Sequence, residues 1–107
     1  MTTNNNDSMQ MSVFERVGKD MAAEIVPQME KHLAHAIRMA EEGYRGDAPY
    51  NAMDALNELF DTSQPLHIWE RCLDICTEFH DLEEGSIAPR YFLILRALIL
   101  EAKMRTQ

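Results

Sequence analysis

What this sequence lacks narrows it first. Ten basic residues stand against 18 acidic ones, and a formal net charge of −8 over 107 residues repels phosphate backbones and anionic lipid. Without a basic footprint, direct binding to DNA or RNA is not expected. There is no Gly-rich phosphate loop, no nucleophile elbow and no serine placed near a plausible His and Asp. The acids fall on predicted outer helix faces, where solvated carboxylates make poor general acids. Neither catalysis nor a bound cofactor is expected. Two cysteines on one segment do not make a disulfide framework, and a reducing compartment would keep them as thiols. The longest apolar stretch, Tyr91 to Leu100, is interrupted by Arg96 and is too short for a hydrocarbon core of about 30 Å. The N-terminal MTTNNNDSMQM has no basic segment followed by an apolar core. A cytoplasmic protein without membrane contact is the expectation. No segment alternates with β-branched enrichment, so no strand is expected either.

What is there is helical grammar. With 46% hydrophobic and 26% charged residues the chain is globular, and a domain this short buries only about two-thirds of its unfolded surface. A partner subunit would help. Residues 1–11, polar and Asn-rich, are expected to be a disordered tail, and 12–107 a single domain. The patterning predicts an all-α fold, a compact bundle of about five short helices. Ser12 and Glu15 make a capping box for the first, which turns Val13, Phe14, Val17, Met21 and Ile25 inward. Pro27 disfavours helix at Val26 and either kinks the segment or, as is expected, opens a second helix, with Met29, Leu33, Ala36, Ile37 and Ala40 inward and Gly43 as its left-handed stop. Asp47-Ala-Pro-Tyr begins the third, with Ala52, Met53, Leu56, Leu59 and Phe60 inward. Ser63-Gln-Pro-Leu begins the fourth, and Ser86-Ile-Ala-Pro-Arg the fifth.

The fifth segment differs from the others. Tyr91, Phe92, Leu93, Ile94, Leu95, Ala97, Leu98, Ile99, Leu100 and Ala102 leave almost no polar side apart from Arg96. A helix apolar all round is buried all round. It is therefore either the central helix, or it packs inward on one side and meets a second chain on the other. Four short helices can hardly cover both sides, so dimerisation through this helix is expected. Arg96 then either snorkels to the rim, pairs with a carboxylate, or sits at the centre of an interface.

The stretch WERCLDICTEFH raises a second question. Cys72, Cys76 and His80 recur every four residues on one face, as ligands of a soft metal or members of a redox site would. The same spacing places Trp69, Leu73 and Phe79 among them, and apolar neighbours raise a thiol pKa and suppress the thiolate. Free cysteine in a core is the simpler account, with a small metal or redox sensor as the alternative. His80 is the polar residue that packing does not explain. His32 and His35 fall towards the polar side, and the Glu-x-x-His pattern of di-iron bundles is absent. The opposite face carries Glu70, Asp74, Glu78 and Asp81, and the third helix carries a second row, Asp54, Glu58 and Asp61. Such rows are solvated faces, or else a surface that imitates nucleic acid or docks on a basic DNA-binding protein.

These features predict a non-catalytic protein-binding regulator, a homodimer that inhibits or sequesters a transcription regulator or similar complex. Fold-level analogy with small acidic helical proteins of bacteria and phage points the same way. Its contact residues are expected among Tyr91, Phe92, Leu95, Arg96, Leu98 and Ile99, with Tyr44, Arg45 and Tyr50 as rim contacts, since exposed aromatics and arginine favour interfaces.

Overall fold

A computed structural model describes residues 13–105, with side chains from Arg16 onward. The expected 1–11 tail and the Ser12–Glu15 capping box lie outside the described residues, as do the side chains of Val13 and Phe14. Every regular element described is an α-helix: α1 Val13–Glu41, α2 Ala48–Phe60, α3 Leu66–Leu82 and α4 Pro89–Arg105. Four helices replace the expected five, and the difference lies at Pro27.

Pro27 stands inside α1 rather than at the start of a new helix. Its missing N–H leaves the Ala23 carbonyl without its helical donor, and proline in a helix interior costs about 3 kcal/mol relative to alanine. The helix persists because its apolar positions stay in phase across the proline. Ala22, Ile25, Val26, Met29, Leu33 and Ala36 are all buried, and full burial of a side chain like Ile25, Met29 or Leu33 contributes about 1.5–3 kcal/mol each. Breaking the helix would take that row out of line. The proline ring is on the exposed side. Two positions expected inside are not: Val17 and Ile37 are exposed.

The end of α1 follows the expected chemistry. Gly43 takes φ +83°, its N–H bonds the Ala40 carbonyl, and the Tyr44 N–H reaches back to Met39 O at 2.8 Å. This is a Schellman stop, which satisfies carbonyls the helix leaves free. The expected side-chain caps of the next two helices do not form. Asp47 sits at the N-cap of α2 without a side-chain bond, beside a proline in the first turn, and the N-cap of α3 is Pro65.

Ser63 and Gln64 are instead used for tertiary contacts. Gln64 is buried; its Nε2 donates to Gly18 O at 2.6 Å and to Thr62 Oγ1 at 2.8 Å. Arg105, in the last turn of α4, donates to Ser63 Oγ at 2.6 Å and to Gln64 O at 2.9 Å. One loop thus fastens the first turns of α1 to the end of α4. Gly18 permits the approach, because a Cβ there would lie 3.3 Å from both Gln64 Nε2 and Thr62 Cβ.

Helix α1 packs on α2 and α3, and α3 packs on α4. Met29, Leu56, Leu59, Trp69, Ile75, Phe79 and Leu95 form the fully buried centre. Phe60 joins three helices, its ring centroid 6.3 Å from Trp69 and 6.1 Å from Tyr91, while Asn57 Nδ2 donates to Tyr91 Oη at 3.1 Å. The last helix is not the wrapped centre of the bundle. Only Tyr91, Leu95 and Ala102 of α4 are buried, and the rest of its apolar surface faces out or lies at the margin of the core. No helix among the described residues is long and apolar enough to cross a membrane.

Candidate functional site

Helix α4 divides into two faces by position. Tyr91, Phe92, Leu95, Leu98, Ile99 and Ala102 are buried or half-buried against the body of the protein, whereas Arg90, Leu93, Ile94, Arg96, Ala97, Leu100, Glu101, Lys103 and Met104 are exposed. Three large apolar side chains on the outer face are mostly bare: Leu93 at 64%, Leu100 at 60% and Met104 at 68% exposed. With Ala97 they follow intervals of four, three and four, which line up as a single stripe about 16 Å long on a helix. The charge of this helix also differs from that of the chain. Arg90, Arg96, Lys103 and Arg105 against Glu101 alone make it +3 within a protein of −8.

The residues expected to make contacts are therefore split. Tyr91 and Leu95 are buried inside the chain's own core, and Phe92, Leu98 and Ile99 pack against it; they support the helix rather than present it. Arg96 is on the outer face. Tyr44 and Tyr50 are both well exposed, with exposed Arg45 between them in the turn that joins α1 to α2. The outer stripe of Leu93, Ala97, Leu100 and Met104 was not singled out from sequence. Its heptad spacing was legible, but the inner positions are equally apolar and hid it.

Beside the stripe lies a groove of about 560 Å³ between α3 and α4, lined by Leu73, Thr77, His80, Ile87, Pro89, Phe92, Leu93 and Arg96. The His80 ring stands edge-on to Phe92 at 5.7 Å, and its Nδ1 is buried without a hydrogen-bond partner among the described residues. The Thr77 hydroxyl is already committed to Leu73 O at 2.8 Å. A second groove of about 880 Å³ runs between α1 and the loop fastened by Arg105, and includes Ala23 and Pro27.

The two cysteines lie inside the core, both fully buried. Burial pushes each thiol up to about 12, because an apolar interior disfavours the thiolate. Cys76 Sγ donates to Met53 Sδ at 3.8 Å, and among the described residues no three His, Cys, Asp or Glu side chains could hold a metal ion together. Ligation and redox chemistry both need the thiolate that this setting withholds.

The acidic rows are solvated. Asp54, Glu58 and Asp61 on α2, and Glu70, Asp74, Glu78 and Asp81 on α3, are all exposed. The cation beside the α3 row, Arg71, is turned to Glu30 of α1, its Nε donating to Oε1 at 3.2 Å. That bond, with the charges of Glu30, Glu78 and Asp74, pushes the Arg71 pKa up. His32 is half-buried and His35 exposed.

Comparison with protein-family models, with curated proteins and with solved structures returns no significant match.

Proposed function

We propose that this chain is a non-catalytic protein-binding regulator, which uses the outer face of α4 to cover an interface of another protein in the manner of an inhibitor or antiactivator. The supporting observation is the stripe of Leu93, Leu100 and Met104, each at least 60% exposed on one line. Scattered surface leucines are ordinary; a contiguous apolar stripe rimmed by charge marks a contact surface. The basic edges of α4 favour a partner that sets carboxylates opposite them, which would steer the encounter. Tyr44, Arg45 and Tyr50 are rim contacts in this reading.

The test uses the full-length protein and a Leu93→Asp/Leu100→Asp variant as parallel baits in host extract, followed by reconstitution with the purified partner. Both positions are exposed, so the variant keeps its fold. The reading expects the partner to bind the variant at least tenfold more weakly. Equal binding to both baits would refute it.

A second reading, an acidic surface that imitates nucleic acid or docks on a basic DNA-binding protein, is favoured by one observation. None of the seven carboxylates of the α2 and α3 rows has an ion pair among the described residues. Charge reversal by Asp74→Lys and Glu78→Lys would abolish partner binding in this reading and do little if α4 is the contact.

A further inference from the structure

We propose that a second copy of this chain is one occupant of the α4 outer face, and that the two α4 helices pair in parallel, in register, with Arg96 of each copy opposite Glu101 of the other. This rests on the reading of that face as a protein interface and names a partner for it.

The exposure pattern sets the register. Written as a heptad with Leu93 and Leu100 at d and Ala97 and Met104 at a, every a, d, e and g position from Arg90 to Met104 is exposed, while Tyr91, Phe92, Leu95, Leu98, Ile99 and Ala102 occupy b, c and f and face inward. A helix that seats b, c and f in its own domain and leaves a, d, e and g bare has the surface that two-stranded pairing uses.

The flanking charges then select the orientation. In a parallel pair a g residue meets the e residue five positions later on the other strand. Arg96 is at g and Glu101 at e, so two-fold symmetry forms the bridge twice. An antiparallel pair sets g against g, which brings Arg96 against Lys103 at both ends of the seam. Arg96 has no hydrogen bond or ion pair among the described residues. Glu101 is engaged on the surface with Arg105, at 3.6 Å from Oε1.

The area agrees with a modest affinity. The stripe and Ile94 offer on the order of 500 Å² of apolar surface per copy, and the arginine stems bring two copies to the low end of the roughly 1,200–2,000 Å² of specific interfaces. Dissociation near micromolar concentration is expected, so another protein with a better-matched face can displace the second copy.

Sedimentation velocity of the full chain from about 1 to 100 μM tests the pairing. Wild type is expected to move from monomer to dimer over that range, and Leu93→Asp/Leu100→Asp to remain monomeric with unchanged helicity. Arg96→Glu and Glu101→Arg should each weaken association about tenfold or more, and the two together should restore it. Leu100→Cys should oxidise to a covalent dimer, since equivalent d positions face each other only in a parallel pair and both native cysteines are buried. A wild type that is monomeric throughout, a dimer indifferent to the aspartates, a charge swap without rescue, or cross-linking only between Ala97→Cys and Leu100→Cys copies would each overturn the proposal. A monomer that still captures a partner through α4 leaves the functional reading standing. A dimer whose aspartate variant captures the partner unchanged has the opposite meaning.

Discussion

Replacing Pro27 with alanine should make this protein more stable, by an amount the fold allows to be worked out. In the interior of α1 alanine restores an N–H for the Ala23 carbonyl and removes the ring from the preceding turn, changes worth about 3 kcal/mol together in a regular helix. Two effects reduce this. The unfolded chain regains the backbone freedom that proline removed, about 0.4–1 kcal/mol, and the helix has already relaxed around the ring. A net gain of about 2 kcal/mol remains. For a domain of this size, where 1 kcal/mol moves Tm by about 4–8 °C, that is a rise of about 10 °C. Thermal unfolding followed by far-ultraviolet circular dichroism measures it, and urea unfolding with an unchanged slope would show that the native state, not the compactness of the unfolded one, has changed. The sign decides the matter. If Pro27 opened a second helix, as the sequence alone suggests, it would occupy a position that favours proline, and alanine there would leave stability unchanged or lower it. Either result would refute a continuous α1.

The other predictions concern the loop, the half-buried His80 and the thiols. Gln64→Ala removes the bonds to Gly18 O and Thr62 Oγ1 and leaves a cavity, so it should lower stability by about 2–4 kcal/mol in urea titration. Gly18→Ala should be no better than neutral despite about 1 kcal/mol of added helix propensity, because the new Cβ meets Gln64 and Thr62 at 3.3 Å; in the Gln64→Ala background, where Thr62 alone crowds it, it should be less unfavourable. His80→Leu exchanges a buried ring nitrogen without a partner among the described residues for an apolar group and should raise stability by about 1 kcal/mol; a loss of similar size would mean that Nδ1 is bonded. Cys72 and Cys76 should resist a thiol reagent until unfolding exposes them. Their pKa, raised to about 12 from an ordinary 9.0, also gives a sign: the contribution is intact below pH 9 and is lost as pH rises towards 12, because the unfolded chain then releases protons that the folded one retains. Cys72→Ala with Cys76→Ala should flatten that alkaline slope.

Periodicity carried much of the fold in advance. The arcs of α2 and α3 and the interior place of Cys72, Cys76, Trp69 and Phe79 all follow from which residues share a helix face, and the stop at Gly43 follows from the left-handed backbone that glycine accepts. Local grammar was less dependable where tertiary contacts competed with it. Pro27 reads as a boundary because proline is judged by its own turn, but the aligned apolar row from Ala22 to Ala36 decided the matter. Ser63 reads as a cap, yet its hydroxyl serves Arg105, 42 residues further on. Gln64 gave no local sign that it would be buried, since its partner at Gly18 lies 46 residues back. On α4 the difficulty was different: when nearly every residue is apolar, sequence cannot say which side faces home. The packing of α3 against one side supplied that answer and left Leu93, Ala97, Leu100 and Met104 outside.

The fastening of Arg105 to Ser63 and Gln64 bears on how that outer surface can be used. The final turn of a helix ordinarily frays, and any protein that grips it must first hold it still, losing affinity to the lost disorder. Here the last turn is held by two hydrogen bonds to a loop that is itself tied to α1, so Met104 is presented on a preorganised support. On the proposed reading of α4 as a contact surface, a partner would meet a surface whose ordering was completed when the protein folded. Cutting that tie by Arg105→Ala would leave the stripe's composition intact and, on the same reading, still weaken the proposed contact.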